Sequence, residues 1–323
     1  MTKIVFVVLC LFPCCVCSHS NLQNRLCKIC SISKETPSVR HITLTVQPNA
    51  SIFHIAKQLA QHRIIKSVWL FMLYGLITCS YKKLKSGQYC FTEKMNTKEI
   101  FTILTKGWTI IHKVTIPEGV TVYRIKEILY QNQCLSGEIV SLPIEGYVLP
   151  GTYYFSQGDS RQNVLNRISK YMHEKLAKLT SNYINTDEIL IMSSIVEKET
   201  SIHHEKFLIA GVFLARIQKK MKLQADPTVI YALTEGKTKL QRPLTRKDWK
   251  VQSPYNTYMN YGLPPTPICC PSYETLLAVA NAEPGEYLYF VASNDGHHLF
   301  SESLQTHNKN IREREKKSAS GQN

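Results

Sequence analysis

The chain has 323 residues, 44% of them hydrophobic and 20% charged. That is enough apolar content for one large core or two smaller ones, and it excludes a disordered protein. The net charge is +15, and residues 50–126 hold twelve Lys or Arg against Glu93, Glu99 and Glu118, a local balance of +9; such density suits an anionic membrane face or wall polymer.

Nucleic acid is the other common partner of so basic a surface. The export-type start of the chain and the lack of any helix-turn-helix, zinc-finger or RNA-binding signature argue against it. At the start, Lys3 precedes an apolar run over residues 4–17, followed by the polar Ser18-His19-Ser20-Asn21. A membrane span needs about 20 apolar residues and a signal core about 7 to 15, so residues 1–20 read as a cleaved signal or a short anchor. A buried N-terminal strand is the alternative. Four of the eleven cysteines (Cys10, Cys14, Cys15, Cys17) fall in this run. Cys27 and Cys30 form a C-x-x-C with no second pair at zinc spacing, and Cys269 and Cys270 are adjacent, so free thiols, no metal and no cofactor are expected.

Residues 41–46 alternate polar and apolar with β-branched side chains, the pattern of a strand. Pro48, Asn49 and Ser51 lead into a helix burying Ile55, Leu59 and Ile64, and a second helical stretch covers 67–76. A strand is expected over 88–91. Asn96-Thr97 caps a helix over 98–105 that stops at Gly107, and a strand over 109–116 ends at Pro117-Glu118-Gly119. Residues 40–110 therefore read as a small α+β module. Beyond Ser141 the chain turns rich in turn formers and aromatics up to Phe155. Helices are expected over 160–179, 186–200, 204–220 and 272–282, with strands near 287–292 and 298–301; the charged, then small and polar, tail at 311–323 reads as disordered.

The helix over 186–200 offers two acids. Three, four and seven residues before Glu199 stand Val196, Ile195 and Met192, whereas the same counts from Glu197 give Ser194, Ser193 and Leu190. Glu199 is thus expected on the buried stripe and Glu197 nearer the polar side. A carboxyl on an apolar face has its neutral form favoured, which moves its pKa toward the range useful for proton donation. A helix-terminal Glu paired with a nearby base is the alternative. Further on, Asp226-Pro227-Thr228 reads as a helix N-cap with Pro in the first turn, and Gln224 and Thr228 could bond sugar hydroxyls. Tyr255-Asn256-Thr257-Tyr258 and Gly262-Leu263-Pro264-Pro265 lie in a stretch too Pro-rich for a helix. Exposed Tyr beside Asn and Thr suits a groove that stacks and hydrogen-bonds carbohydrate; a loop packed over the core is the alternative. No G-x-S-x-G, P-loop, dinucleotide fingerprint or H-E-x-x-H occurs, which removes the common hydrolase, kinase and dehydrogenase readings.

Four segments in order (Glu145-Gly146-Tyr147-Val148-Leu149-Pro150, Ser194-Ile195-Val196-Glu197-Lys198-Glu199-Thr200, Leu223-Gln224-Ala225-Asp226-Pro227-Thr228 and Tyr255-Asn256-Thr257-Tyr258 with Gly262-Leu263-Pro264-Pro265) resemble the endolytic murein transglycosylase, or YceG-like, family. The resemblance runs from about residue 44 to 310. It implies an α+β fold: a LysM-like module at 40–110, notably at residues 86–91, and a mixed helical and strand catalytic domain at 111–310, behind a membrane segment. It implies that the catalytic Glu is the one followed by a small hydroxyl residue, which is Glu199, before Thr200. It further implies a substrate groove drawn from Glu145, Tyr147, Gln224, Asp226, Thr228, Tyr255, Asn256, Thr257, Tyr258, Gly262, Leu263 and Pro264. The implied substrate is the glycan strand of peptidoglycan, cut between N-acetylmuramic acid and N-acetylglucosamine to leave 1,6-anhydromuramoyl ends.

The same resemblance places the protein in the bacterial cytoplasmic membrane with a single pass and the catalytic domain on the periplasmic side, beside cell-wall synthases as partners. The chain departs from the family pattern at Gly151, at Ala215 and at Cys270-Pro271-Ser272. Two other readings stay open: a peptidoglycan-binding protein that recruits synthases without cutting, and a hydrolytic muramidase using Asp226 or Glu145 as a second carboxylate.

Overall fold

A computed structural model describes residues 40–319 apart from Lys94. The expected export or anchor segment, the C-x-x-C at Cys27 and Cys30 and the last four residues lie outside the described part. The chain divides into two compact units, one through His112 and one from Lys113 onward.

In the first unit, β1 (His41–Val46) buries Ile42, Leu44 and Val46 on one face, as period-2 alternation demands. It pairs antiparallel with β2 (Gly87–Thr92), His41 opposite Thr92 and Val46 opposite Gly87. Helix α1 (Ile52–Gln61) starts at the Ser51 cap and buries Ile55, Ala56 and Leu59, and α2 (Val68–Ile77) starts at the Ser67 cap. Helix α3 (Thr97–Lys106) opens with a capping box between Asn96 and Glu99 and ends at Gly107 in the left-handed conformation. Phe71 of α2 stacks on Phe101 of α3, with ring centroids 4.4 Å apart. This approach needs Gly75, where a Cβ would lie 2.8 Å from the Phe101 ring. The opposite face of α2 is bare: Trp69, Leu70, Leu73, Leu76 and Ile77 are all exposed, Trp69 and Ile77 at 74%. No helix among the described residues is long and apolar enough to cross a membrane.

β3 (Ile111–Ile116), most of which belongs to the second unit, pairs with β4 (Gly151–Ser156). Between them lies a helix the sequence reading did not place, α4 (Val122–Gln131), which buries Val122, Ile125 and Leu129. It shares a core with Val164, Leu165 and Ile168 of α5 (Arg161–Leu176). The larger core is built by α6 (Thr186–Glu199), α7 (His203–Gln218) and α9 (Tyr273–Ala280), which pack on one another. Helix α8 (Asp226–Thr234) also touches α6. The hairpin of β5 (Tyr289–Ala292) and β6 (His298–Ser301) completes the unit. Residues 311–319 of the tail expected to be disordered instead continue α10 (Leu304–Ala319), which packs on that hairpin. Composition misses this helix because its surface is polar all round. Its anchors include the stack of His307 on Tyr289 and single hydrogen bonds, such as Asn310 to the Ser301 hydroxyl and Arg314 to the Ala292 carbonyl.

Candidate active site

Glu199 is the last residue of α6, and Met192, Ile195 and Val196 beneath it are wholly buried. Glu199 is half-buried and, among the described residues, its carboxyl makes no hydrogen bond or ion pair. Burial against apolar neighbours pushes its pKa up to about 7; the negative charge of Asp226 adds to the rise and the Arg216 guanidinium opposes it. Arg216 is itself buried on α7, its Nε donating to the Leu288 carbonyl, its Nη1 to the carbonyls of Lys222 and Leu223, and its plane over the Tyr289 ring. So fixed, it acts on Glu199 as a nearby charge and not as a salt-bridge partner.

Asp226 begins α8 but does not cap it. The cap position is Ala225, whose N–H donates to the Thr257 hydroxyl. Freed from capping, the Asp226 carboxylate accepts both the Trp249 indole N–H (3.1 Å) and the Tyr258 hydroxyl (2.7 Å). Trp249 and Tyr258 stack at 5.4 Å with an interplanar angle of 15°. The result is an aromatic pair tied to a carboxylate that Glu199 senses. Gln224, just before it, is exposed and held in the left-handed region at φ 51°, a conformation that costs a non-glycine residue about 1 kcal/mol or more.

Several residues expected to meet sugar are instead spent inside the protein. Thr228 and Thr257 are buried with their hydroxyls 2.8 Å apart. Asn256 is fully buried, donating to the carbonyls of Trp249 and Val251 and accepting the Tyr258 N–H. These three hold the loop that carries Tyr258. Tyr255 bonds the Thr266 hydroxyl and lies against Tyr231. Gly262 makes a turn at φ 78°, Leu263 packs on the core and Pro264 is buried. For these residues the alternative of a loop packed over the core describes the structure, because a loop without ladder bonds must satisfy its backbone through such side chains.

Glu145 and Tyr147 make their own bonds to other partners than Glu199. The Glu145 carboxyl accepts the N–H groups of Val122 and Gly146 and the Cys270 thiol, at the start of α4, and burial pushes its pKa up to about 7. Gly146 between them has φ 85°, and a Cβ there would meet Pro267 at 2.6 Å. The Tyr147 hydroxyl donates to Asp187 in the first turn of α6, and its ring stacks on His173. Asp187 and Glu199 are twelve residues apart on one helix, about 18 Å. Tyr147 and His173 line a separate cleft of ≈ 680 Å³.

Glu197 also departs from expectation. Its side chain is 6% exposed, not on a solvated face. One of its carboxylate oxygens accepts the Ser272 N–H (3.0 Å), the Ser272 hydroxyl (2.9 Å) and the Thr275 hydroxyl, with Lys206 Nζ at 3.7 Å. The helical count placed it correctly beside Ser193 and Ser194, but both of those are buried too. The polar side of α6 faces protein.

A profile of the YceG-like family matches residues 44–313. The chain belongs to that family. Among relatives of this YceG-like chain, the endolytic murein transglycosylase of Bacillus subtilis (strain 168) is 28% identical over 85% of each chain. That of Streptococcus pneumoniae (strain D39) is 26% identical over 85% of this chain, which spans 59% of the pneumococcal protein. The crystal structure of a yceG-like protein from Listeria monocytogenes superposes with a TM-score of 0.53 at 31% identity, covering 84% of this chain and 99% of that one. The mixed α+β architecture is therefore a YceG-like fold.

In this YceG-like chain the residues that sequence reasoning missed are Trp249 and Arg216. Trp249 had a signal: a lone indole in the basic run Arg246-Lys247-Asp248-Trp249-Lys250. Arg216 had none, since an Arg in the last turn of a helix is ordinary. Asp226→Asn tests the electrostatics directly. Asn keeps an oxygen for Trp249 and Tyr258 but loses the charge that raises the Glu199 pKa, so any activity that needs protonated Glu199 should fail at lower pH than in the wild type. Burial, the larger cause, remains, so the pKa should stay above the ordinary 4.5. An unchanged alkaline limb in the pH–rate profile would show that Asp226 does not act on Glu199.

Proposed function

We propose that this chain is an endolytic murein transglycosylase that cuts peptidoglycan glycan strands, with Glu199 acting first as acid and then as base. The observation that carries the reading is Glu199 itself: half-buried, its carboxyl unpartnered among the described residues and held near pKa 7 by its apolar seat. Protonated Glu199 donates to the glycosidic oxygen between N-acetylmuramic acid and N-acetylglucosamine. As that bond breaks, the muramic C6 hydroxyl closes on C1 and gives its proton to the Glu199 carboxylate, restoring the acid. The product ends in 1,6-anhydromuramic acid, and no water is consumed. An internal hydroxyl already in place makes a second carboxylate unnecessary. The stacked Trp249 and Tyr258 offer a flat surface to a sugar ring, and Gln224 offers its amide. The names of the relatives from Bacillus subtilis and Streptococcus pneumoniae support the same reading.

Digestion of purified sacculi with mass analysis of the new ends tests this. Anhydro ends are expected. Products heavier by one water would mean a muramidase, with Asp226 the nearer candidate for a second carboxylate, and intact strands with retained binding would mean a glycan-binding protein.

We further propose that the first unit works as a LysM-like module against a membrane, on the periplasmic side with cell-wall synthases as neighbours. Support comes from the bare apolar face of α2, with Lys66 before it and Lys82 and Lys83 after it, and from the +9 balance of residues 50–126. The full chain should sediment with vesicles containing anionic lipid, and salt should weaken this, because exposed charges are screened within about 10 Å at 0.1 M ionic strength. Equal binding to neutral vesicles at every salt concentration would remove the electrostatic part of the proposal.

A further inference from the structure

Away from Glu199, the first turn of α7 and the turn between β5 and β6 bring three ligating side chains together. His204 and Glu205 come from the helix and His297 from the turn, and a ligand atom of each lies within 4.8 Å of the other two. Glu205 is the anchor, its side chain only 2% exposed. Its Oε1 accepts the His298 backbone N–H at 2.8 Å and faces His297 Nδ1 at 3.3 Å. Its Oε2 accepts the Thr200 hydroxyl at 2.9 Å and faces His298 Nδ1 at 2.7 Å. The two imidazoles of His204 and His297 stay exposed, with ring centroids 6.0 Å apart. The turn that presents His297 is ordered by two bonds of its own, Asp295 accepting the His297 N–H and the His297 carbonyl accepting the Ser293 N–H.

Zinc holds nitrogen and oxygen ligands tetrahedrally at about 2.0–2.1 Å, which sets neighbouring ligand atoms roughly 3.3 Å apart. The separation of His297 Nδ1 and Glu205 Oε1 already has that value. We propose that His204, Glu205 and His297 form a binding site for a divalent transition-metal ion of the zinc type, with water completing the coordination. Two imidazoles and one carboxylate favour such an ion over magnesium or calcium, which take all-oxygen sets. The bonds from His298 and Thr200 to Glu205 are the outer support that fixes a ligating carboxylate. The ion bridges His297 and Glu205 and so ties the β5–β6 turn to α7. It also bears on the site of cleavage, because Thr200, which bonds the other oxygen of Glu205, directly follows Glu199. Sequence spacing hides the site: Glu205 and His297 are 92 residues apart.

The experiment uses the full chain, stripped of metal and carrying no histidine tag. Zn2+ is titrated by calorimetry, and Co2+ serves as a spectroscopic probe, with the visible absorption of a low-coordinate nitrogen and oxygen site expected. His204→Ala and His297→Ala, both on exposed side chains, should each weaken Zn2+ binding by at least the roughly 10- to 100-fold that loss of an outer-shell partner costs. His203→Ala should bind as the wild type does, since His203 pairs with Glu274 and is not one of the three ligands. No Zn2+ binding, or binding unchanged in both His204→Ala and His297→Ala, overturns the proposal. Metal binding is read without glycan, so its failure leaves the proposed cleavage untouched and the converse also holds.

Discussion

Glu199→Gln should lower the formation of anhydromuramoyl ends by about 10²- to 10⁴-fold, the usual worth of a positioned acid–base group, while glycan binding stays within a few-fold of wild type. Gln keeps the size and the dipole of the side chain but can neither give nor take the proton, so the loss belongs to turnover and not to affinity. The wild-type rate should fall as pH rises through about 7, where the acid that must protonate the leaving oxygen is lost. The same shift has a consequence for stability. The folded pKa is raised from 4.5 to about 7, so the fold binds this proton more tightly than the unfolded chain does. Below pH 4.5 both states are protonated and Glu199 costs nothing. Between 4.5 and 7 the cost grows, and above 7 it is complete, on the order of 1–3 kcal/mol after allowance for partial exposure. Glu199→Gln should therefore be more stable than wild type at pH 8 and about equal at pH 4. A variant that is inactive yet no more stable at pH 8 would show that Glu199 is not held in an apolar seat.

Much of this arrangement was legible because it rests on local rules. The count back from Glu199 to Val196, Ile195 and Met192 needs only 3.6 residues per turn, and the three prove fully buried. The start of α3 at Asn96 and its end at Gly107 follow from capping chemistry, and the strand at His41–Val46 from alternation. What stayed hidden depends on contacts between distant segments. Helix α4 carries a readable pattern in Val122, Ile125 and Leu129, but it sits between Pro117-Glu118-Gly119 and an aromatic, turn-rich stretch whose composition resembles loop on both sides of it. Asp226 matched a cap motif, yet Trp249 and Tyr258, 23 and 32 residues away, claim its carboxylate. Asn256, Thr257 and Thr228 are polar and buried because a loop without regular structure recruits them to satisfy its own backbone. Polarity in a sequence marks groups that need partners, and it does not say whether water or protein supplies them.

Glu197 shows the energetic side of that lesson. Glu197→Gln should destabilise the second unit by about 2–4 kcal/mol and lower its melting temperature by roughly 5–15 °C. The wild-type carboxylate oxygen takes three donors from Ser272 and Thr275, and Lys206 lies beside it with 3% exposure. The Ser272 side chain supplies one of those donors through its hydroxyl. A Gln carbonyl can replace some of these bonds, but its amide nitrogen brings two more donors into a pocket already full of them. Lys206 would be left with Glu274 at 3.8 Å, a carboxylate whose side chain is 46% exposed and a weaker counter-charge. Removing one member of a buried pair strands the other, whereas removing both can cost less. The double variant Glu197→Gln with Lys206→Met should therefore recover part of the loss, with the two changes summing to less than their separate costs. Turnover per folded molecule should stay close to wild type in Glu197→Gln, because the donors it disturbs lie at the cap and first turn of α9 and not around Glu199. Thermal unfolding by near-ultraviolet circular dichroism, run beside single-turnover cleavage, separates the two quantities. A stable Glu197→Gln protein that has lost its chemistry would reverse the roles assigned to the two acids.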